Sequence, residues 1–179
     1  MQKRRCQIFP ILTILWLCVI YSFSLEPADL SEDTSLGLIG WMLEHVVPWL
    51  KDEVANLSEG QMLFLHGMVR KAAHFTEYFI LGVLSAASVL QIEAGKNIRC
   101  GMHHRVRLTP RLMQGAAALI FCIAAAPADE TIQLFVEGRA GMVRDVVLDS
   151  FGAAVGIGAV LVLIKLRKRT SRFPVKNRK

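Results

Sequence analysis

Four polar side chains stand at the beginning of a long apolar stretch, "RKAAHFTEYFILGVLSAASVL", residues 70–90. Lys71, His74 and Tyr78 are three and four residues apart, so a helix would place them on one face, with Glu77 beside that face. An imidazole near a carboxylate is suited to proton transfer, and a lysine is suited to binding an anion. The stretch therefore predicts either acid/base chemistry or anion binding at one end of a helix.

A second polar group closes another apolar segment, in "PADETIQLFVEGR". Gln133 is three residues from Glu130 and four from Asp129, so one helical face can present all three side chains. Pro127 removes one hydrogen bond of the helix and favours a kink, which would let these groups turn inward.

A third polar group opens the last apolar segment, in "RAGMVRDVVLDSFGAAVG". Asp145 and Asp149 are four residues apart, and Gly152 and Gly156 continue the same stripe. Small residues at this spacing let a neighbouring helix approach closely. Asp149 is therefore expected to face protein rather than lipid, and Arg139 precedes this group in the connecting loop.

The elements that must position these groups are membrane-spanning helices. Hydrophobic residues make up 53% of the 179-residue chain and fall in long blocks, which is typical of an integral membrane protein. A spanning helix needs about 20 apolar residues to cross a hydrocarbon layer about 30 Å thick. The chain is predicted to be all-α, a single domain of residues 1–179 built as a four-helix membrane bundle, with spans at residues 8–25, 74–92, 112–128 and 146–166.

The net charge of +6 is distributed in alternation along the connections between these spans. Residues 26–73 hold eight acids and three bases, residues 93–111 hold one acid and five bases, and the tail from Lys165 holds eight bases and no acid. Basic residues on alternate sides follow the positive-inside rule, which places both termini in the cytoplasm. The charge is thus a topology signal rather than a nucleic-acid footprint, and all three polar groups are expected at the outer end of one bundle.

The long exterior segment, residues 26–73, is predicted to be helical. "LGLIGWMLEHVVPWL" carries an apolar face with Trp41 and Trp49 as interfacial anchors, so it is expected to lie on the membrane surface. Ser58 and Gln61 form a capping-box pattern, so a second helix is expected to begin there and run into the second span. Residues 93–111 are expected to form a flexible loop, and residues 167–179 a basic cytoplasmic tail.

The gathered ionisable groups leave several functions open. A charge near mid-membrane costs about 2.5–3.5 kcal/mol, so the carboxylates need partners, for which Lys71 and Arg139 are the candidates. The groups could bind a phosphate or carboxylate headgroup, could run acid/base chemistry, or could only lock the helices together. A divalent metal has no ligand-spacing signature among the carboxylates, so neither a metal nor a cofactor is predicted.

These residues also carry a family resemblance. "RKAAHFTEYFILG", followed about fifty residues later by "DETIQLFVEGRAGMVRDVVLDSFGAAVG", resembles the VanZ-like family of bacterial membrane proteins over residues 8–165. The family pattern of K-x-x-H-x-x-x-Y, D-E-x-x-Q, a separate R and two later acidic positions is matched by Lys71, His74, Tyr78, Asp129, Glu130, Gln133, Arg139, Asp145 and Asp149. The resemblance implies a multi-pass protein of the bacterial plasma membrane, in a family whose founding member is associated with low-level resistance to the glycopeptide teicoplanin.

The leading hypothesis is an envelope protein whose outward-facing polar pocket engages a membrane lipid or a lipid-linked cell-wall precursor and influences glycopeptide susceptibility. A second hypothesis is an intramembrane acid/base enzyme that modifies an envelope lipid, with catalytic candidates His74, Glu130 and Asp129. A third is a structural or partner-binding membrane protein. The sequence does not decide whether the chain is an enzyme, and it does not give the oligomeric state.

Overall fold

The computed structural model describes residues 8–99 and 111–170, with side chains described for residues 8–91 and 111–167. These residues form helices and contain no strand, which confirms the predicted all-α class. The helices are α1 (Ile8–Ser24), α2 (Ala28–His45), α3 (Lys51–Ala55), α4 (Glu59–Arg99), α5 (Arg111–Gln133) and α6 (Val143–Thr170), with a 3-10 turn at Pro48–Leu50 before α3.

Within the described ranges, three segments are long and apolar enough to cross a membrane: Glu59–Gln91, Arg111–Gln133 and Val143–Arg167. Ile8–Ser24 has only 17 residues. It is long and apolar enough to cross a membrane only when it is taken together with Ala28–His45, to which it is joined at a bend of 109°. Three to four spans fit the expected multi-pass membrane protein. The count of four and the placement of both termini in the cytoplasm remain predictions.

The longest helix, α4, joins the exterior segment to the second predicted span without a break. It begins at the expected capping box: the Ser58 backbone N–H donates to Gln61 Oε1 at 2.9 Å, and the Gln61 N–H donates to Ser58 Oγ at 3.4 Å. The prediction of a loop from residue 93 is wrong for residues 93–99, because α4 continues through Arg99. A lone glycine at position 95 costs a helix only about 1 kcal/mol, too little to end it among good helix formers. The remainder of the expected loop, residues 100–110, and most of the expected tail, residues 171–179, lie outside the described residues.

A helix is present where the apolar pattern predicts one, but its bounds differ from that pattern, and its position on the membrane surface stays a prediction. α2 begins directly after Pro27 and ends at His45, so Val46 and Val47 lie beyond it. The helix ends because a residue before proline is driven out of the α region, and Val47, before Pro48, has φ −133° and ψ 55°. α2 rests on α4, where His66 Nδ1 lies 3.5 Å from Glu32 Oε1.

Helices α1, α4 and α5 pack against one another, α6 packs against α4 and α5, and the most extensive contact is between α4 and α6. A Cβ atom added to Gly152 would lie 2.6 Å from the Phe75 carbonyl oxygen, and one added to Gly156 would overlap the Phe79 carbonyl oxygen. The glycine stripe predicted on the last span therefore serves as expected: it brings the α6 backbone against α4.

Candidate functional site

Buried polar side chains gather at one end of the packed helices, where α1 and α5 end, α6 begins and α4 passes through. Most of the largest fully buried side chains of the described residues are polar and lie here. We refer to this group as the buried polar cluster; its members are Ser24, His74, Tyr78, Asp129, Gln133 and Asp149.

A chain of hydrogen bonds runs through the buried polar cluster and connects three helices. Arg70 Nη2 donates to Gln133 Oε1 at 3.0 Å, and Gln133 Nε2 lies 3.5 Å from Ser24 Oγ. Ser24 Oγ in turn donates to Asp129 Oδ1 at 2.5 Å. The chain fixes the orientation of the Asp129 carboxylate and connects it to a partly exposed guanidinium.

Three members of the cluster come especially close together. His74, Asp129 and Asp149 each offer one nitrogen or oxygen atom, and these atoms all lie within 4.8 Å of one another. The three residues come from α4, α5 and α6, and they are 8%, 0% and 0% exposed. The fold thus brings an imidazole and two carboxylates, distant in the sequence, to a single buried point.

Several polar atoms at this point have no hydrogen-bond partner among the residues that the structure describes. They are His74 Nδ1, the Tyr78 hydroxyl, Asp129 Oδ2 and both carboxylate oxygens of Asp149. His74 Nδ1 lies 3.5 Å from Glu77 Oε2, and the two side chains would form an ion pair if the imidazole were protonated. Buried polar atoms in folded proteins are nearly always paired, so an unpaired set of this size calls for an occupant or a chemical role.

Next to the cluster lies a cavity of about 220 Å³ between α2 and α4, which we call the vestibule. Its wall combines the charged side chains of Glu26, Arg70, Glu77 and Arg139 with His74 and with hydroxyls of α2. His74 belongs to both sites, because it lines the vestibule and also approaches Asp129 and Asp149. The remaining wall is formed by Phe23, Ser31, Thr34, Ser35, Leu38, Val69 and Ala73.

The loop between α5 and α6 carries Arg139 to the vestibule. Gly138 has φ +74°, a left-handed conformation that disfavours other residues, and a Cβ atom there would lie 2.8 Å from Ala28 Cβ. The same joint is tied by the Ala28 N–H, which donates to the Glu137 carbonyl oxygen at 3.3 Å. Burial lowers the pKa of the Arg139 guanidinium below its ordinary value, and the nearby Arg70 charge lowers it further. Arginine stays protonated over the physiological range despite such shifts.

Glu130 has a different partner from Asp129, although the two are adjacent. Glu130 Oε2 accepts a hydrogen bond from the Met142 backbone N–H at 2.7 Å, just before α6 begins. The neighbouring Gly141 packs against the Glu130 backbone, where a Cβ atom added to the glycine would lie 2.7 Å from the Glu130 carbonyl oxygen. Glu130 therefore holds the α5–α6 loop in place and lies apart from the three-residue contact of His74, Asp129 and Asp149.

The structure distributes the ten residues singled out from the sequence over several surroundings. His74, Tyr78, Asp129, Gln133 and Asp149 lie in the buried polar cluster. Glu77 and Arg139 line the vestibule. Glu130 supports the loop, Asp145 is half-buried and Lys71 is exposed. The expected ion pairs are not formed: among the described residues, neither Lys71 nor Arg139 lies within 4.0 Å of a carboxylate oxygen.

Arg70, not Lys71, is the basic residue of α4 that faces the site. Lys71 and Tyr78 lie on nearly the same side of the helix, yet Tyr78 is fully buried and Lys71 is exposed, so depth rather than direction separates them. Arg70 is four residues before His74 and seven before Glu77, so it lies on the same side of α4 as these two residues of the vestibule wall. Ser24 was also missed, because no local pattern shows that the end of α1 meets Asp129.

The family assignment follows from a comparison of the whole sequence. A sequence model of the family described as VanZ/LLP1 matches residues 9–165. The chain belongs to this family. No curated protein and no solved structure matches it. The VanZ/LLP1 match extends from α1 through most of α6 and therefore includes every residue of the buried polar cluster and the vestibule.

Proposed function

We propose that this VanZ/LLP1 protein crosses the bacterial plasma membrane four times with both termini in the cytoplasm, and that its vestibule binds an anionic headgroup at the outer face. The ligand would be a membrane lipid or a lipid-linked cell-wall precursor. Binding it would alter the access of glycopeptides such as teicoplanin to the cell surface. The observation that supports this most is a pair of guanidiniums, Arg70 and Arg139, which line one cavity and form no ion pair within the described residues.

The size and composition of the vestibule favour a headgroup over a whole lipid. A volume of about 220 Å³ is below the roughly 300–1,000 Å³ of sites that enclose drug-sized molecules, so an acyl chain would remain outside. Guanidinium groups bind phosphate and carboxylate oxygens through paired hydrogen bonds. Phe23, Leu38 and Val69 on the same wall offer apolar contact to the chain that follows the headgroup.

The proposal is tested with purified protein in nanodiscs of defined composition. Replacing both Arg70 and Arg139 by alanine should lower the preference for anionic over zwitterionic lipid by about tenfold or more, because each hydrogen bond to a charged group contributes about 1.5–3 kcal/mol. Lys71→Ala is the matched control, since Lys71 is an exposed cation adjacent to Arg70.

Two results would rule the proposal out. The first is a wild-type protein with no preference between anionic and zwitterionic lipid. The second is a loss in Lys71→Ala equal to that of the arginine variant, which would indicate general surface attraction. In cells, the arginine variant at matched membrane levels should lose any effect of the protein on teicoplanin susceptibility, while Lys71→Ala should retain it.

A second candidate function is an intramembrane enzyme that transfers or hydrolyses the headgroup by acid/base catalysis. The position of His74 favours it, because this imidazole lines the vestibule and lies within 4.8 Å of Asp129 and Asp149 atoms. Overexpression should then change the lipid or muropeptide composition of cells, and His74→Ala at equal membrane levels should abolish the change. An unchanged composition with wild-type protein would contradict catalysis and leave headgroup binding intact.

A further inference from the structure

We propose that His74, Asp129 and Asp149 bind one divalent transition-metal ion, of the class of Zn²⁺, Mn²⁺ or Fe²⁺. The sequence predicted no metal site, because the three residues have no ligand spacing and lie on three different helices. The fold nevertheless brings them together: each of the three residues offers one potential ligand atom, and these atoms all lie within 4.8 Å of one another. The inference does not depend on headgroup binding in the vestibule, although His74 belongs to both sites.

The strongest support is Asp149. Its side chain is fully buried at the meeting point of α4, α5 and α6, and both of its oxygens lack a hydrogen-bond donor within the described part of the chain. Asp129 Oδ2 also lacks a hydrogen-bond partner, and so does His74 Nδ1, which lies 3.5 Å from Glu77 Oε2. A buried carboxylate is paired with a cation, coordinates a metal or takes up a proton, because an isolated buried charge is very costly. No lysine or arginine nitrogen lies within 4.0 Å of Asp149 among the described residues, so a bound metal ion would supply the missing partner.

The separations suit a single ion. Metal bonds to imidazole nitrogen and carboxylate oxygen are about 2.0–2.2 Å long, so two ligands of one ion are at most about twice that distance apart. The three atoms lie within 4.8 Å of one another, which is close to this limit. One imidazole with two carboxylates favours a transition metal over Mg²⁺ or Ca²⁺, which prefer oxygen ligands throughout.

The surroundings of Asp129 match those of a metal ligand. Ser24 Oγ donates to Asp129 Oδ1 at 2.5 Å, which leaves Oδ2 to face the ion. Gln133 and then Arg70 extend this hydrogen-bond chain toward the vestibule. Such outer partners orient the ligands of metal sites, and their removal lowers metal affinity by about 10- to 100-fold. Ser24 is therefore a positioning residue for the ion.

The test uses full-length, untagged protein, stripped with EDTA in detergent or nanodiscs and titrated with Mn²⁺ or Zn²⁺ alone. The expected result is one ion per chain by elemental analysis and a higher melting temperature with metal than without it. Asp149→Asn, which is nearly isosteric, and His74→Ala should both lose this stoichiometric binding. Asp145→Asn should keep it, because Asp145 is half-buried on the same helix, four residues away, and lies outside the three-residue contact.

Two further variants make the test decisive even if a ligand variant fails to fold. Ser24→Ala should retain the site but bind about 10- to 100-fold more weakly. A double His103→Ala, His104→Ala variant should bind as tightly as wild type, since those adjacent histidines offer an alternative metal site in the sequence. The inference is overturned if wild-type protein binds neither ion, if folded Asp149→Asn binds like wild type, if Ser24→Ala leaves the affinity unchanged, or if the double histidine variant abolishes binding.

Discussion

The two ends of the packed helices use polar residues in different ways. At the end away from the vestibule, Thr13 Oγ1 and Ser88 Oγ share a hydrogen bond of 2.7 Å, and Ala86, Ala118 and Ile157 form a small apolar core. At the vestibule end, five atoms of the buried polar cluster have no hydrogen-bond partner in the described part of the chain.

This difference bears on whether the polar residues only hold the helices together. Hydrogen bonds between membrane helices stabilise their association when both partners are present. The end away from the vestibule meets that condition with small, neutral groups. The vestibule end does not, because Asp129 Oδ2 and both Asp149 oxygens lack donors, and each unpaired buried group costs about 1–3 kcal/mol or more. A purely structural role accounts for the first end and leaves the second unexplained.

The largest effect on stability is expected at the α4–α6 contact on which both ends depend. Gly156→Ala should lower the free energy of unfolding by about 1–3 kcal/mol or more, because the new Cβ atom overlaps the Phe79 carbonyl. Gly158→Ala is the control: a Cβ atom added there would have no atom within 4 Å, so the better helix former should add up to about 1 kcal/mol. Thermal unfolding in detergent measures both, and equal melting temperatures would refute the close contact.

A smaller effect is expected in the loop at the vestibule end. Gly138→Ala places a Cβ atom on a residue with φ +74° and against Ala28, which should cost about 1–2 kcal/mol and shift the turn that carries Arg139. The preference for anionic lipid should fall with it. Gly60→Ala, at an open position near the start of α4, should lower neither the stability nor the preference for anionic lipid. Normal lipid preference in a folded Gly138→Ala protein would show that the turn does not position Arg139.

A substitution at Asp149 tests most directly whether the two ends of the packed helices differ in role. In EDTA, Asp149→Asn should leave the melting temperature unchanged or raise it, because it removes a buried charge that lacks a partner. The gain in the free energy of unfolding should be no more than about 1 kcal/mol. Asp145→Asn provides the half-buried comparison. A destabilisation of several kcal/mol by Asp149→Asn in EDTA would mean that this carboxylate holds the helices together, and the contrast between the two ends would fail.

The smallest effect is expected at the end away from the vestibule. A double-mutant cycle with Thr13→Ala and Ser88→Ala should give a coupling energy of about 0.6 kcal/mol, the usual size for a hydrogen bond between membrane helices. Lipid preference and metal binding should stay at wild-type levels in all three variants. A change in either property would show that function extends to this end of the molecule.

Local patterns were sufficient for the features that depend on one helix. The Ser58 cap, the shared burial of Asp129, Glu130 and Gln133, and the glycine stripe after Asp149 all follow from spacing along a single element, and the structure has each of them. The family resemblance is also confirmed, by the match over residues 9–165.

Features that depend on how helices stand beside one another were not predictable in this way. Helical spacing gives the direction of Lys71 but not the depth to which neighbouring helices cover α4, so spacing favours Lys71 where Arg70 faces the site. The partnership of Ser24 with Asp129 requires two helix ends to meet. The contact of His74 with Asp129 and Asp149 requires three helices at a common depth.

The unbroken length of α4 has a mechanical consequence. Its 41 residues extend about 60 Å, roughly twice the thickness of a hydrocarbon layer. Residues 59–69 form the first part of this helix, and Arg70, His74 and Glu77 follow directly after it on the same unbroken helix. α2 contacts the first part through Glu32 and His66. A partner that displaces α2 or the first turns of α4 would therefore tilt the helix as one rigid body. All three side chains would move together, because no loop lies between them and the first turns to absorb the displacement.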